Sequence, residues 1–342
     1  MSAVASAPTS PSGAVMTTDS PRVTSLRKIR PAVTAVALAG IVVWITLIKG
    51  DQAISDYVVM AAMYAVMAVG YDFTIGMTRQ FALGMNACVA VGAYAAGLLA
   101  LKVTPNPLLG ALLACAFGAA VAFATALLAV RVREFYFAVL TLAVGLTAQN
   151  LAIAWQTLTG GASGLVAVPG LGDSTIVKPD FGFWLPLTVG SVAILSIIGL
   201  WVRDSSLGRT FRTIARDEEL AKAFGIPVGR YRTLAMTMTG FVLGYGGFLY
   251  ARYVQFVVPD SFSLGLTVTL ILMVYLGGRG SIWGPVIGAV LVRAITRGLQ
   301  GHGEVSSLVL ACVLIGVLAL FADGIAGGVR AAQRQLRQRA DR

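Results

Sequence analysis

Histidine occurs once in this 342-residue chain, cysteine three times, and charged side chains make up only 12% of it. Each scarcity excludes something. His302 has no clustered partners, so neither a zinc-type ligand set nor a Ser-His-Asp triad can be assembled around it. Cys88, Cys115 and Cys312 all lie inside apolar runs and read as small packing residues, not as disulfides or metal ligands. A soluble domain of this length would need more charge to cover its surface. No G-x-x-x-x-G-K-[ST] pattern occurs, so ATP is not bound here through a P-loop. "GGRGSIWG" (277–284) is rich in glycine but has neither the lysine nor the strand context. The chain is expected to carry no catalytic set, no metal and no cofactor of its own.

What is there is apolar. Hydrophobic residues make up 57% of the chain. Several runs reach roughly 20 residues, enough to cross a bilayer core of about 30 Å. Apolar runs fall at 32–49, 54–76, 81–101, 108–130, 135–156, 183–202, 233–251, 262–278, 281–298 and 305–322. The expectation is an all-α polytopic membrane protein of about ten helices (eight to ten). The 39 glycines are scattered through these runs, where small residues let helices approach closely.

Charge orients the helices. Arg22, Arg27, Lys28 and Arg30 place the N-terminus in the cytoplasm, and alternation then puts Arg79, Arg131 and Arg133 inside too. The segment 203–232, with seven Arg or Lys against four acidic residues, also falls inside, as does the basic tail 326–342. The net charge of +11 thus reflects helix ends and does not imply nucleic acid. Arg252, Arg293 and Arg297 fit less well, lying at or near outer ends; either they line an aqueous path or the ninth helix is bounded differently. Residues 1–30, rich in Ser, Ala, Thr and Pro, read as a disordered cytoplasmic tail without a cleavable signal. The membrane domain is expected over 31–325, with 157–182 as its largest external loop. "FALG" (81–84) and "FSLG" (262–265) open two runs of opposite direction, which an inverted repeat or chance similarity would both give.

One polar stretch stands out, "RDEELAKAFGIPVGRY" (216–231). Asp217 is a good N-cap, Glu218 and Glu219 suit the first turn, Gly225 suits a left-handed cap and Pro227 blocks continuation. A helix over about 218–224 is predicted, with Leu220, Ala223 and Phe224 as an apolar stripe at i, i+3 and i+4. So short a helix is unstable alone. Either the stripe lies in the headgroups or under its own bundle, or it docks in the groove of a cytoplasmic partner.

Here a resemblance bears on the choice. Glu219 to Ile226, "ELAKAFGI", resembles the E-A-A-x-x-x-G loop of ABC importer permeases, keeping Glu219, Ala221 and Gly225 and departing at Leu220. "GRTFRTIARDEELAKAFGIPVGRYRTLAMTMTGFVLGYGGFLYA" (208–251), "LGGRGSIWGPVIGAVLV" (276–292), "FYFAVLTLAVG" (135–145), "LTGGASGL" (158–165) and "ALGMNACVAVGAY" (82–94) are similar, in order, to segments of the branched-chain amino acid ABC transporter permease family, LivM-type subunit. The resemblance spans roughly 57–322. The family's Ser-Leu-Gly-His is Ala82-Leu83-Gly84-Met85 here, a family Gly is Arg79 beside Gln80, and a family Asn is Asp72.

The resemblance implies one of two pore-forming subunits in a bacterial inner membrane. Its partners would be a second, related permease chain, two ABC ATPase subunits that bind ATP and Mg, and a soluble periplasmic or lipid-anchored solute-binding protein. The stretch above would be the coupling helix, with Asp217 and Gly225 as its caps. Leu220, Ala221, Ala223 and Phe224 would form its docking face, and Glu219 would pair with the ATPase or cap its own helix. Asp72 and Arg79, seven apart, are expected on one helix face as a charge pair or a substrate contact. Asn86, Tyr136, Phe137 and Thr141 are pore candidates, with ordinary packing as the alternative. Gly160, Gly161 and Gly164 would present backbone to the binding protein, or serve only as turn residues. The family default solutes are leucine, isoleucine and valine, with urea and short amides among close relatives. An ion-coupled secondary transporter or channel is the alternative, although acidic residues inside the runs are few apart from Asp72; a membrane enzyme would need a catalytic cluster that is absent.

Overall fold

The computed structural model describes residues 52–129, 132, 134–171, 180–278, 280–281 and 283–298. The runs expected at 32–49 and 305–322, both tails, Cys312 and His302 lie outside the described residues. The described chain is helical almost throughout, because backbone groups in lipid must be satisfied within the segment. Its helices are α1 Gln52–Asp72, α2 Asn86–Lys102, α3 Pro107–Ala129, α4 Glu134–Ala154, the short α5 Gln156–Thr159, α6 Phe181–Asp204, α7 Ser206–Arg216, α8 Glu218–Ala223, α9 Val228–Val254, α10 Leu264–Gly277 and α11 Trp283–Gly298. Five are long and apolar enough to cross a membrane: α1 with its continuation to Met77, α3, α4, α6 and α9. Helices α2 and α10 are apolar but shorter.

The core is α1 and α9. Most of each is buried, whereas α3 and α4 keep much of their surface exposed. Small residues bring α9 close to its neighbours. A Cβ on Gly244 would meet the backbone of Ala114 in α3, and one on Gly247 would meet the backbone of Val89 in α2. Such approach lets van der Waals contact replace the hydrophobic force that is missing between helices in lipid. Free Cys88 and Cys115 are buried in this packing.

Two helices end in the same way. Helix α1 widens into a π-turn over Phe73–Met77, and the chain then turns at Arg79, φ 56°. Helix α9 ends at Gln255, φ 59°. Positive φ is uncommon for residues with a Cβ. Each turn leads through a segment without α-helix, which after Gln255 includes a 3-10 turn over Pro259–Phe262, into a shorter α-helix. The apolar run beginning at residue 81 therefore does not open as a helix: 79–85 is irregular, and α2 begins only at Asn86. Such backbone survives at membrane depth because it is buried in protein. The Tyr71 hydroxyl donates to the Ala82 carbonyl, and the Leu83 N–H donates to Thr141 Oγ1 at 2.9 Å.

The starts of α2 and α10 meet. The Asn86 N–H donates to Thr267 Oγ1 at 3.2 Å, its side-chain amide donates to the Phe262 carbonyl at 2.7 Å, and Thr267 Oγ1 donates back to Asn86 Oδ1 at 3.3 Å. Helices α10 and α11 form a hairpin so tight that a Cβ on Gly277 would meet the Gly284 backbone.

At one end of the bundle a two-stranded antiparallel ribbon pairs β1 Leu165–Val166 with β2 Phe256–Val257. Arg252 is fully buried there and donates to the Pro169 carbonyl at 2.8 Å and the Pro105 carbonyl at 3.0 Å. Its role is a strut between two loops, which accounts for a cation at this end without an aqueous path. Arg293 stacks over the Tyr64 ring at 4.9 Å, and Arg297 donates to the Ala53 carbonyl at 2.6 Å, so both brace α11 against α1. The 203–232 segment lies at the opposite end. It is not one loop around one helix but the end of α6, then α7, α8 and the first turn of α9.

Candidate functional site

Helix α8 forms where local chemistry specifies it. The Asp217 carboxylate accepts from the Leu220 N–H at 2.9 Å, capping the first turn. The last turn closes through Gly225, φ 74°, whose N–H reaches the Lys222 carbonyl at 2.9 Å, while the Ile226 N–H reaches the Ala221 carbonyl at 3.1 Å. Only residues 217–227 separate α7 from α9, so α8 is held at both ends.

Its faces divide cleanly. Ala221 is 0% exposed, packed with Ile214 of α7 and Val228 of α9. It therefore cannot belong to a docking face: at 100° per residue it points away from the stripe, into the seam between α7 and α9. Leu220 is 50% and Phe224 74% exposed, with Ala223 exposed between them. The apolar stripe thus faces outward, with no other described residue over it. Glu219 is exposed and neither caps the helix nor makes an ion pair among the described residues.

Glu218, not Glu219, is the acidic anchor. It pairs with Lys222 at 2.8 Å, one turn on, and with Arg232 of α9 at 2.8 Å. Burial alone would raise its carboxyl, but the hydrogen bond from Lys222 and the charge of Arg232 outweigh that and hold it below its ordinary value. The i, i+4 spacing of Glu218 and Lys222 was a usable signal; the reach to Arg232 was not, because it depends on how α9 enters. Arg232, Glu218 and Lys222 line a cavity of about 170 Å³ with Arg79, Gln80, Phe81, Phe137 and the end of α3. The break after α1 and the anchored face of α8 therefore share one cavity.

Asp72 and Arg79 do not pair. The α-helix gives way to the π-turn after Asp72, and Arg79 lies beyond its end, so the seven-residue spacing no longer places both on one face. Asp72 is buried and accepts from the Gly280 N–H at 3.1 Å, which ties α1 to the α10–α11 turn. Arg79 is exposed at the cavity. Asn86 and Thr141 are buried and occupied in tying segments together, Thr141 accepting from Leu83 and donating to the Ala138 carbonyl at 2.9 Å. Phe137 is buried at the cavity, while Tyr136 is 63% exposed on the outer face of α4, against Phe135. Of these four, Asn86, Phe137 and Thr141 are buried and Tyr136 faces outward.

The glycines of the far loop are conformational. Gly160, Gly161 and Gly164 all have positive φ. Gly161 and Gly164 are buried, and a Cβ on Gly164 would meet the Val257 backbone, so only Gly160 is exposed. Their first effect is to seat β1 on β2.

A family model described as "Branched-chain amino acid transport system / permease component" matches residues 53–318. The chain belongs to this permease family. LivM, the high-affinity branched-chain amino acid transport permease of Salmonella typhimurium, is 26% identical over 289 residues, covering 76% of this chain and 67% of the relative; LivM of Escherichia coli K12 gives the same figures. The ribose import permease RbsC of Escherichia coli K12 is 25% identical over 273 residues, covering 76% of this chain and 81% of the relative. The autoinducer 2 import permease LsrD of Escherichia coli O9:H4 is 28% identical over 176 residues, covering 47% and 53%. No solved structure matches. The chain is thus a multi-pass transport subunit of a family whose similar members carry solutes as different as amino acids and a sugar.

Proposed function

We propose that this permease is one of two membrane subunits of an ATP-driven ABC importer in a bacterial inner membrane, and that α8 is the element on which an ATPase subunit acts. The observation that carries the reading is the division of α8. One face is fixed to α9 by Ala221 and by the Glu218–Arg232 pair, and the other offers Leu220, Ala223 and Phe224. A helix anchored on one side transmits a push on the other; a free loop does not. The partners are a second, related permease chain, two ATPase subunits that carry ATP and Mg, and a solute-binding protein at the end bearing Gly160. With α8 cytoplasmic, β1 and β2 lie on the external side.

The solute we favour is a branched-chain or other hydrophobic amino acid, supported by the two LivM relatives; urea or a short amide is the variant within this reading, and RbsC and LsrD show how far similar permeases diverge. The hydrogen bonds between Asn86 and Thr267, each five residues beyond the Phe of its four-residue motif, support an inverted repeat. The reading is tested by reconstituting the chain with the co-encoded ATPase and permease subunits and binding protein in vesicles. Uptake of leucine, isoleucine or valine that requires ATP and survives collapse of ion gradients is expected. Uptake by the chain without ATPase subunits, driven by an ion gradient, would instead assign a secondary transporter, with buried Asp72 the group to examine.

A further inference from the structure

Two cavities at the α8 end adjoin, and their linings differ in kind. The first, described above, is lined among the described residues by the cations Arg79, Lys222 and Arg232 and one carboxylate, Glu218. Arg79 makes no ion pair among the described residues. The second is a groove of about 830 Å³ between α3 and α9, lined by Phe123, Leu127, Ile226, Pro227 and Leu234 together with Arg230. The two share Lys222, Val228, Gly229 and Thr233. Val228 and Gly229 begin α9, whose first turn no side chain caps, so its helix dipole adds to the positive potential there. Phe123 and Leu127 are about half exposed on the membrane-spanning α3.

We infer that this composite site binds one acidic phospholipid from the leaflet at the α8 end, its phosphate at Lys222, which both cavities share, with Arg79 on the side of the first and Arg230 on the side of the second, and one acyl chain in the groove along Phe123 and Leu127. The charge count decides the sign of the ligand: among the described residues four cations face one carboxylate, and Arg79 and Arg230 lie outside its pairs with Lys222 and Arg232. The contiguous apolar groove decides its kind, because a free phosphate has no use for it and a phospholipid does. The groove opens on a helix that crosses the bilayer, so lipid is the molecule at hand. The inference does not depend on α8 contacting an ATPase.

The test is lipid retention by the full-length chain, measured by native mass spectrometry after equilibration in vesicles of equal phosphatidylglycerol and phosphatidylethanolamine. The wild type is expected to retain phosphatidylglycerol preferentially, by about fivefold for each cation engaged. Arg79→Gln with Arg230→Gln is expected to remove most of that preference. Leu127→Trp, which fills the groove without touching charge, is expected to lower retention as well and serves if the charge variants do not fold. Arg209→Gln, on α7 and outside both linings, is expected to leave it unchanged. Equal retention of the two lipids by the wild type would overturn the proposal. So would displacement of the lipid by millimolar glycerol phosphate, which would assign a headgroup-sized anion alone, or preference kept in the variants with loss of a co-purifying protein subunit, which would assign a protein interface.

Discussion

The two breaks, after α1 and after α9, are built alike and do different things. Both turn at a residue with positive φ, Arg79 and Gln255. In both a tyrosine ties down the segment eleven residues later, Tyr71 to Ala82 and Tyr250 to Ser261 Oγ at 3.2 Å. The first break opens on the cavity that holds the anchored face of α8. The second is fixed to the opposite end, where the Val168 N–H reaches the Gln255 carbonyl at 3.1 Å beside the β1–β2 ribbon. One local device, used twice, joins the core helices to the α8 end and to the far loop. The hydrogen bonds between Asn86 and Thr267 tie the segment after the first break to the one after the second.

The comparison breaks most sharply at the glycines of the two motifs. Gly84 has no room: a Cβ there would meet the Thr141 carbonyl and come within 3.0 Å of the Gly145 nitrogen. Gly265 has only Ser263 Oγ at 3.6 Å. Gly84→Ala is therefore expected to destabilise the fold by about 3 kcal/mol, and Gly265→Ala, in the first turn of α10, by less than about 0.5 kcal/mol. Thermal unfolding of the two variants in detergent would show it. Equal shifts would mean that the two segments are packed alike.

At the far end, Arg252→Met is expected to cost about 2–4 kcal/mol, since it removes two charge-assisted hydrogen bonds and leaves the carbonyls of Pro105 and Pro169 without their donor. The loss should show as faster proteolysis of the 157–171 loop, with the α8 end unaffected. At the joint, a double-mutant cycle of Asn86→Ala and Thr267→Ala is expected to give a coupling of about 1 kcal/mol. Additive effects would mean that the two segments are not coupled there.

The smallest effect is expected at α8. Glu218→Gln should cost about 0.5 kcal/mol in stability, because the carboxylate is partly exposed and its pairs are screened by solvent. Its carboxyl is held below the ordinary value of 4.5, so the folded state binds its proton less readily than the unfolded chain does. That contribution is complete above pH about 5 and fades as pH falls through the lowered value. A pH series of unfolding midpoints should therefore differ between wild type and Glu218→Gln at neutral pH and converge in acid.

Legibility in the sequence followed the range of the interactions. The ends of α8 could be read because Asp217, Gly225 and Pro227 act on backbone a few residues away. The outward stripe of Leu220, Ala223 and Phe224 followed from helical spacing. Ala221 could not be placed, since only the packing of Ile214 and Val228 turns its side inward. The irregular segment 79–85 was hidden because hydropathy reports depth in apolar surroundings and does not distinguish a helix from backbone satisfied by neighbours. The same limit misled the pairing of Asp72 with Arg79, a spacing argument that holds only on an unbroken helix. Arg252 looked misplaced because the carbonyls that receive it lie 83 and 147 residues away.

The central claim is that α8 takes its motion from another protein on its apolar face. The direct measurement places a cysteine by Ala223→Cys in a chain lacking Cys88, Cys115 and Cys312 and follows crosslinking to co-expressed ATPase subunits with and without ATP. The account predicts a specific crosslink whose yield changes with nucleotide. A chain that stays unlinked while a lipid-soluble reagent labels the same cysteine would place the stripe in the membrane surface and contradict it.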